Sequence, residues 1–166
     1  MSAARRYLLV PRAVIVHARH LLLVRSTTGT RSPSAARWHL PGTEVLEGES
    51  PQTAIQRLVK LRTRVEIEVD GCLDAVARRG RDPTTGRQSS LLHLFFSCSV
   101  SPETSPELLP TAVATVAPLD PGAPPGGTDW GWADLGSGVA ALRHDIVGPA
   151  VVSRLEELAR QAKRSS

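Results

Sequence analysis

Cysteine and aromatic residues are both scarce in this chain. Its 166 residues include only two cysteines, Cys72 and Cys98. These are too few and too isolated for a disulfide framework or a zinc site, so a reducing cytoplasm is the expected compartment. Aromatic residues make up 4% of the chain, with no basic helix or aromatic-rich strand. Nucleic-acid binding is therefore not expected.

Long apolar runs are missing as well. No stretch reaches the roughly 18 apolar residues that a membrane-spanning helix needs. The N-terminal apolar run is interrupted by Pro11 and Arg12 and lacks a small-residue cleavage site, so a signal peptide is not predicted. With 41% hydrophobic and 22% charged residues, the chain is expected to form one globular domain over residues 1–166. The sequence does not indicate an oligomeric state.

Lysine is the third scarce residue, because 18 of the 20 basic residues are arginine. Together with abundant Ala, Pro and Gly, this usage is typical of a GC-rich bacterial genome. The functional alternative is that arginine is needed for its planar fork of donors, which binds phosphate or carboxylate through two parallel hydrogen bonds. The net charge of +4 is a modest excess.

Strand and helix patterns alternate along the rest of the chain. "YLLVPRAVIVHA" and "HLLLVRS" predict two strands joined by a tight turn at Ala18 and Arg19. Residues 65–78 predict strand, turn and strand, and "SLLHLFFSCSV" (90–100) predicts another strand. The segment 101–131 holds more than half of the 13 prolines and is predicted to be mainly loop, with "TAVATVAPL" as one candidate strand inside it.

Two helices are predicted. Ser50 is a good N-cap, Pro51 suits the first helical position, and apolar residues recur at helical spacing at Ala54, Leu58 and Leu61. The second helix, at about 147–163, is amphipathic and closes the chain.

The segment 43–65, with the lead-in "WHLPG" before it, resembles the signature of the Nudix family. That signature is Gly, five residues, Glu, seven residues, then Arg-Glu-aliphatic-any-Glu-Glu-any-Gly-aliphatic. The chain aligns without a gap and matches at Glu49, Arg57, Val59 and Val65. The resemblance implies an α/β fold, a Nudix-type α/β/α sandwich with a mixed β-sheet. It also implies that Glu49 and Arg57 tie the loop to the helix.

The chain departs from this signature at the metal ligands. Leu58, Leu61 and Arg62 stand where the family has three glutamates that bind Mg²⁺; Thr43 and Arg64 replace its two glycines. On a helix, positions 58, 61 and 62 fall within about 100° of arc, which explains how three carboxylates converge there. Leucine offers no oxygen ligand for a hard cation, and a guanidinium repels it. No metal and no other cofactor is therefore predicted.

Arg57, Arg62 and Trp38 are the predicted ligand-binding residues, and a small anionic molecule is the predicted partner. Arg62 projects into the apolar arc of the helix, where an unpaired charge is costly. The charge therefore either reaches solvent at the helix end or meets an anion. That anion could be Glu44, Glu49 or a ligand phosphate. Trp38 either stacks on a ligand ring or packs in the core. Leu58 and Leu61 either extend the core or line a pocket.

Three acid–base groups are the catalytic candidates: His39, Glu44 and Glu49. His39 lies where the family holds its substrate, and its alternative role is that of a strand-surface residue. The other residues considered are assigned to structure or surface, except for two acids that loosely match an extra catalytic position in some family members. The structural group is His17, His20, His93, His144 and Trp132, and the two acids are Asp129 and Asp134.

Three functions remain open from the sequence. The first is a small-molecule or partner-binding module without metal-dependent diphosphatase activity. The second is a metal-independent enzyme on the same scaffold in a bacterial biosynthetic pathway. The third is a hydrolase of nucleoside diphosphate derivatives whose metal is held by acids outside the helix.

Overall fold

The computed structural model describes residues 6–25, 38–82, 85–110 and 130–164. Six strands and three helices follow one another in these ranges, with short 3₁₀ turns at Pro106–Leu108 and Leu142–His144. The elements are β1 (Tyr7–His17), β2 (His20–Arg25), β3 (Trp38–His39), α1 (Pro51–Thr63), β4 (Ile67–Arg81), β5 (Gln88–Val100), β6 (Trp130–Asp134), α2 (Leu135–Ala141) and α3 (Pro149–Arg164).

The strands form a mixed sheet in the order β3-β2-β1-β5-β4, and β6 pairs with β2 outside that path. β1 runs parallel to β5 from Tyr7 to Ile15, whereas the other pairs are antiparallel. β1 and β2 pair only at Val16 and His17. The sheet therefore has two parts that share β1. One part contains β5 and β4, and the other contains β2, β3 and β6.

Alternation along β1 builds two hydrophobic cores. Ala13 and Ile15 pack with Ile55 and Val59 of α1, on one face of the sheet. Val14 lies in the core on the other face, which is covered by α2 and α3. Helices on both faces of a mixed sheet confirm the predicted α/β/α sandwich.

The predicted hairpin is confirmed, with Ala18 and Arg19 forming the turn between β1 and β2. Both residues have positive φ, 45° and 66°, as a two-residue turn with the twist of its strands requires. The region 101–110 is irregular apart from its 3₁₀ turn. The candidate strand "TAVATVAPL" lies outside the described residues.

Two expectations about secondary structure are wrong. The turn predicted within residues 65–78 does not form, because β4 is one strand that follows β5 through bulges between Val69 and Gly71 and between Cys72 and Asp74. Bulges insert unpaired residues into a strand, which resembles a turn in sequence. α2 was also missed, since "LGSGVAA" has few strong helix formers; Asp134 caps it by accepting from the Ser137 N–H.

α1 begins where the sequence predicts and ends at Thr63. The Ser50 hydroxyl accepts from the Thr53 N–H at 3.1 Å, and Pro51 is the first helical residue. At the other end Arg64 adopts the left-handed conformation (φ 62°, ψ 2°), and its N–H donates to the Lys60 carbonyl at 2.9 Å. This position favours glycine, which explains why the Nudix signature has one there.

No helix in the described ranges is long and apolar enough to cross a membrane.

We expect Arg64→Gly to stabilise the protein by about 1 kcal/mol, because glycine adopts positive φ without a Cβ penalty. Urea unfolding followed by circular dichroism would measure the change. Arg64→Ala is the matched control: alanine keeps the strain and removes the charge, so it should change the stability little. A gain in the alanine variant equal to that in the glycine variant would show that the charge, not the backbone, is responsible.

Candidate functional site

The loop before α1 is held by an ion pair between Glu49 and Arg57, as predicted. Arg57 Nε donates to Glu49 Oε1 at 2.8 Å, and Arg57 Nη2 donates to Oε2 at 3.2 Å. The hydrogen bond from Arg57, followed by that from the Leu46 N–H, lowers the pKa of Glu49 below its ordinary 4.5. The pair therefore contributes stability at neutral pH that is lost as the pH falls through this lowered pKa. Glu49 is occupied as a structural anchor.

Trp38 and His39 point to opposite faces of the sheet, because successive residues of a strand alternate. Trp38 is buried in the core beneath α2 and α3. Of its two expected roles, the ring therefore packs in the core and has no face free to stack on a ligand. His39, which pairs with Val24 in β2, lies on the side of α1. Of the two, only His39 is on the side of the sheet that α1 covers.

A buried ion pair between Arg12 and Asp145, which was not predicted from the sequence, fixes the backbone next to His39. We call this pair the clamp. Arg12 Nη2 donates to Asp145 Oδ2 at 2.5 Å, and the Leu40 N–H donates to the same oxygen at 3.1 Å. Both side chains of the pair are about nine-tenths buried. Gly42 allows the arginine to pass, since a Cβ there would lie 2.3 Å from Arg12 Cδ. The signal in the sequence was the single charge of Arg12 inside an apolar strand.

Arg62 is anchored at the C-terminal end of α1. Its Nη2 donates to the Arg25 carbonyl oxygen at 3.1 Å, which joins the helix to the end of β2. The side chain is half-buried and forms no ion pair with any carboxylate in the described residues. Of the alternatives left open for Arg62, a contact with Glu44 or Glu49 does not form; the side chain donates to a backbone carbonyl instead.

His39 lies within the electrostatic reach of Arg62. Burial lowers the pKa of His39 below its ordinary 6.5; Asp145 opposes that shift, and Arg12 and Arg62 add to it. Both ring nitrogens are buried without a hydrogen-bond partner in the part of the chain that the structure describes. At neutral pH this histidine is therefore an uncharged imidazole, with one donor and one acceptor.

The side chains on α1 do not suit a divalent metal. Leu61 is 76% exposed, which excludes the expected core role, and Leu58 is half-buried. Neither leucine has a ligand atom, and Arg62 would repel a cation, whereas Mg²⁺ requires oxygen ligands. Across residues 6–25, 38–82, 85–110 and 130–164, no group of three or more His, Cys, Asp or Glu side chains could hold a metal.

The remaining candidates lie apart from His39 and Arg62 or outside the described residues. Asp134 pairs with His20, at the far end of β2 from Arg25, roughly 17 Å along the strand. His93 is buried on the side of α2 and α3, and burial, followed by the charge of Arg12, lowers its pKa to about 4. Trp132 is buried and donates to the Leu108 carbonyl at 2.8 Å. Asp129 is outside the described residues, as is the side chain of His144.

Comparison with known families identifies this architecture. The sequence pattern of the NUDIX domain matches residues 8–126, which is more than half of the chain and includes α1 with its capping loop. The chain belongs to the Nudix family. The matched range includes α1 and the loop before it.

Solved structures of Nudix proteins share the fold. A NUDIX hydrolase from Nitrosomonas europaea is 19% identical, with a TM-score of 0.55, and the match covers 95% of this chain and 91% of that one. The E. coli ORF135 protein is 18% identical, with a TM-score of 0.54 and coverage of 98% and 94%. The MutT protein from Methanosarcina mazei Go1 is 18% identical, with a TM-score of 0.53 and coverage of 98% and 99%. At such identities the likeness concerns the fold alone. Comparison with curated protein sequences gives no match.

Proposed function

We propose that this Nudix-family protein binds a small anionic molecule in the cleft beside the C-terminal half of α1 and has no metal-dependent diphosphatase activity. The observation that carries the proposal is the position of Arg62. It replaces a metal-binding glutamate of the signature, and its half-buried guanidinium is fixed by the Arg25 carbonyl. A fixed positive charge in this cleft attracts an anionic group, whose charge the metal ion of the family would otherwise screen.

The chemistry of the guanidinium supports an anion as ligand. It has five N–H donors, and the contact with Arg25 uses one of its nitrogens. The other donors suit a phosphate or carboxylate, and the group stays charged at every physiological pH. Leu58 and Leu61 add an apolar side to the cleft. Such a site binds the anion without activating water.

A metal-independent enzyme is the second candidate, and His39 favours it. A neutral imidazole whose ring nitrogens have no partner in the described residues has the donor and acceptor that acid–base catalysis requires. Glu44 would be a second acid–base group, whereas Glu49 is engaged by Arg57. A hydrolase using acids outside α1 is the least supported candidate, because Asp134 lies at the far end of β2.

Isothermal titration calorimetry with ADP and inorganic pyrophosphate, in the presence of a chelator, tests the anion site. We expect Arg62→Ala to bind at least about tenfold more weakly than the wild type, because a hydrogen bond to a charged group contributes roughly 1.5–3 kcal/mol. Arg64→Ala is the matched control: it removes an equal charge two residues further on, at the exposed end of α1, and should bind like the wild type. Equal affinities of wild type and Arg62→Ala would contradict the proposal.

The cellular setting stays as the sequence predicts it. We propose a single-domain bacterial protein that acts in the cytoplasm. Location of the native protein by fractionation would test that setting, independently of the ligand.

A further inference from the structure

Four arginines are concentrated at the end of the hairpin formed by β4 and β5. Residues 78–88 read "RRGRDPTTGRQ", in which Asp82 is the one acid. Four positive charges and one negative charge give this segment a net charge of +3, compared with +4 for the whole chain. The four arginines, all with exposed side chains, are Arg78, Arg79, Arg81 and Arg87. Charge of one sign on a protein surface attracts partners of the other sign.

Carboxylates of this chain can neutralise only part of this charge. None of the four arginines forms an ion pair with a carboxylate in the ranges that the structure describes. Outside those ranges the chain has two acids, Asp120 and Asp129, and three arginines. Even if both acids reached the hairpin, two of its arginines would still lack a counter-charge. An excess of positive charge therefore remains for a partner.

Strand pairing places Arg79 and Arg81 on the same face of the sheet as Tyr7. Arg79 of β4 pairs with Ser90 of β5, which pairs with Tyr7 of β1. The three side chains form a row across the sheet, since directly paired residues point to the same face. Arg81 lies two residues after Arg79 and points to this face as well, because side chains alternate along a strand. Tyr7 is 41% exposed, so an exposed ring and two exposed arginines share this face.

An apolar row lies next to these residues on the same face. Two positions along each strand, Ala77, Leu92 and Leu9 are paired in the same way. Leu9 is 38% exposed, Ala77 is exposed and Leu92 is half-buried. Leu94, on the same face of β5, packs against the core cluster beneath α1. With increasing distance from α1, this face therefore changes from core to partly exposed apolar residues and then to arginine.

We propose that this face of the sheet, from Leu9 and Leu92 to Arg79 and Arg81, is a docking surface for an acidic, partly apolar segment of a partner protein. Carboxylates of the segment pair with the two arginines, and its apolar side chains cover the two leucines and the ring of Tyr7. Tyrosine and arginine are enriched at protein interfaces and are frequent among the residues that carry most of the binding energy. The face combines an apolar strip with positive charge beside it, which is the complement of such a segment.

The apolar row favours a protein over a nucleic acid as the partner. Arginine attracts both, but nucleic-acid interfaces are more polar than protein interfaces, and single strands bind through several aromatic rings that stack on bases. The two rows described above contain one aromatic residue and two leucines. Leucine gains free energy when another apolar side chain covers it, and a protein segment supplies such side chains.

Fluorescence anisotropy of a labelled peptide tests the proposal. The probe has Leu at helical spacing and Glu at the other positions, and its anisotropy should rise to saturation as the protein is added at about 150 mM salt. Arg79→Glu combined with Arg81→Glu should weaken binding at least about tenfold, because two attractive charges become repulsive. Arg160→Glu combined with Arg164→Glu is the matched control. It changes the charge equally at exposed positions of α3, on the other face of the sheet, and should bind like the wild type.

The apolar part of the surface is tested separately. Leu9→Gln should weaken binding about threefold or more, because it removes apolar area from the contact. Leu46→Gln, at a leucine that is 55% exposed in the loop before α1, is its control and should bind like the wild type. A peptide with Lys in place of Glu should not bind. Circular dichroism spectra check that each variant is folded.

Four results would overturn the proposal: no saturable binding of the acidic peptide, equal binding by the variant with Glu at 79 and 81, equal binding of the lysine peptide, or tighter binding of a labelled single-stranded oligonucleotide than of the acidic peptide. Excess ADP should leave the peptide bound, because Arg62 contacts the end of β2, and β1 and β5 separate β2 from β4. Displacement by ADP would place the peptide in the anion site and would contradict the proposal as well.

Discussion

Nucleoside diphosphate derivatives incubated with this protein and millimolar Mg²⁺ or Mn²⁺ are expected to remain intact. We expect turnover below about 10⁻³ per second, at least a thousandfold under the usual 1–10³ per second of enzymes. The reason is chemical: the alignment predicted from the sequence puts Leu58, Leu61 and Arg62 at the metal-binding positions of the Nudix signature, and hard cations require oxygen ligands. Chromatographic detection of released nucleotide and phosphate would measure this turnover.

A triple variant provides the matched test of this explanation. Leu58→Glu, Leu61→Glu and Arg62→Glu together restore three carboxylates within about 100° of helix arc. Leu61 is 76% exposed, so a charged residue there should not disturb the core. We expect this variant to bind Mn²⁺ in a calorimetric titration, whereas the wild type does not. Metal-dependent release of phosphate by the wild type at about 1 per second would contradict the prediction.

The second large effect is expected at the clamp between Arg12 and Asp145. Asp145→Ala should lower the free energy of unfolding by about 3–5 kcal/mol, because it leaves a buried guanidinium without its counter-charge. It also removes the acceptor of the Leu40 N–H. Denaturant unfolding followed by circular dichroism would give the difference.

Two further variants distinguish the buried pair from a general effect of mutation. Arg154→Ala breaks the pair with Glu157, whose side chains are about half exposed, and should cost less than about 1 kcal/mol. Arg12→Met combined with Asp145→Leu removes both charges and should recover most of the stability. If Asp145→Ala were as mild as Arg154→Ala, the clamp would not be what fixes the "WHLPG" segment.

The ion pair between Arg12 and Asp145 lies on the opposite face of the sheet from the candidate site. Asp145 holds the backbone of Leu40 from one face of the sheet, and His39, the residue before it, points to the other. On that face Arg62 connects α1 to the end of β2. A hydrogen bond fixes the guanidinium of Arg62 before any ligand arrives, which favours a preorganised binding site.

Local patterns in the sequence determined much of this molecule. Ser50 and Pro51 fix the start of α1, because capping and proline geometry act within one helical turn. The ungapped match at Glu49 and Arg57 predicted an ion pair that the structure confirms. Alternation and β-branched residues predicted β1, β2 and β5. Each of these features depends on residues close in sequence, where physical preferences can be read directly.

Tertiary structure alone decided how distant residues combine. Arg12 and Asp145 are 133 positions apart, and no local pattern indicates that one will neutralise the other. Arg62 meets the carbonyl of Arg25, an acceptor that every residue carries and that sequence therefore cannot single out. Burial of Trp38 and exposure of Leu61 depend on which face another element covers. Pairing with β5 put bulges where a turn was expected within residues 65–78, because hydrogen bonds along a continuous partner strand outweigh a local turn preference.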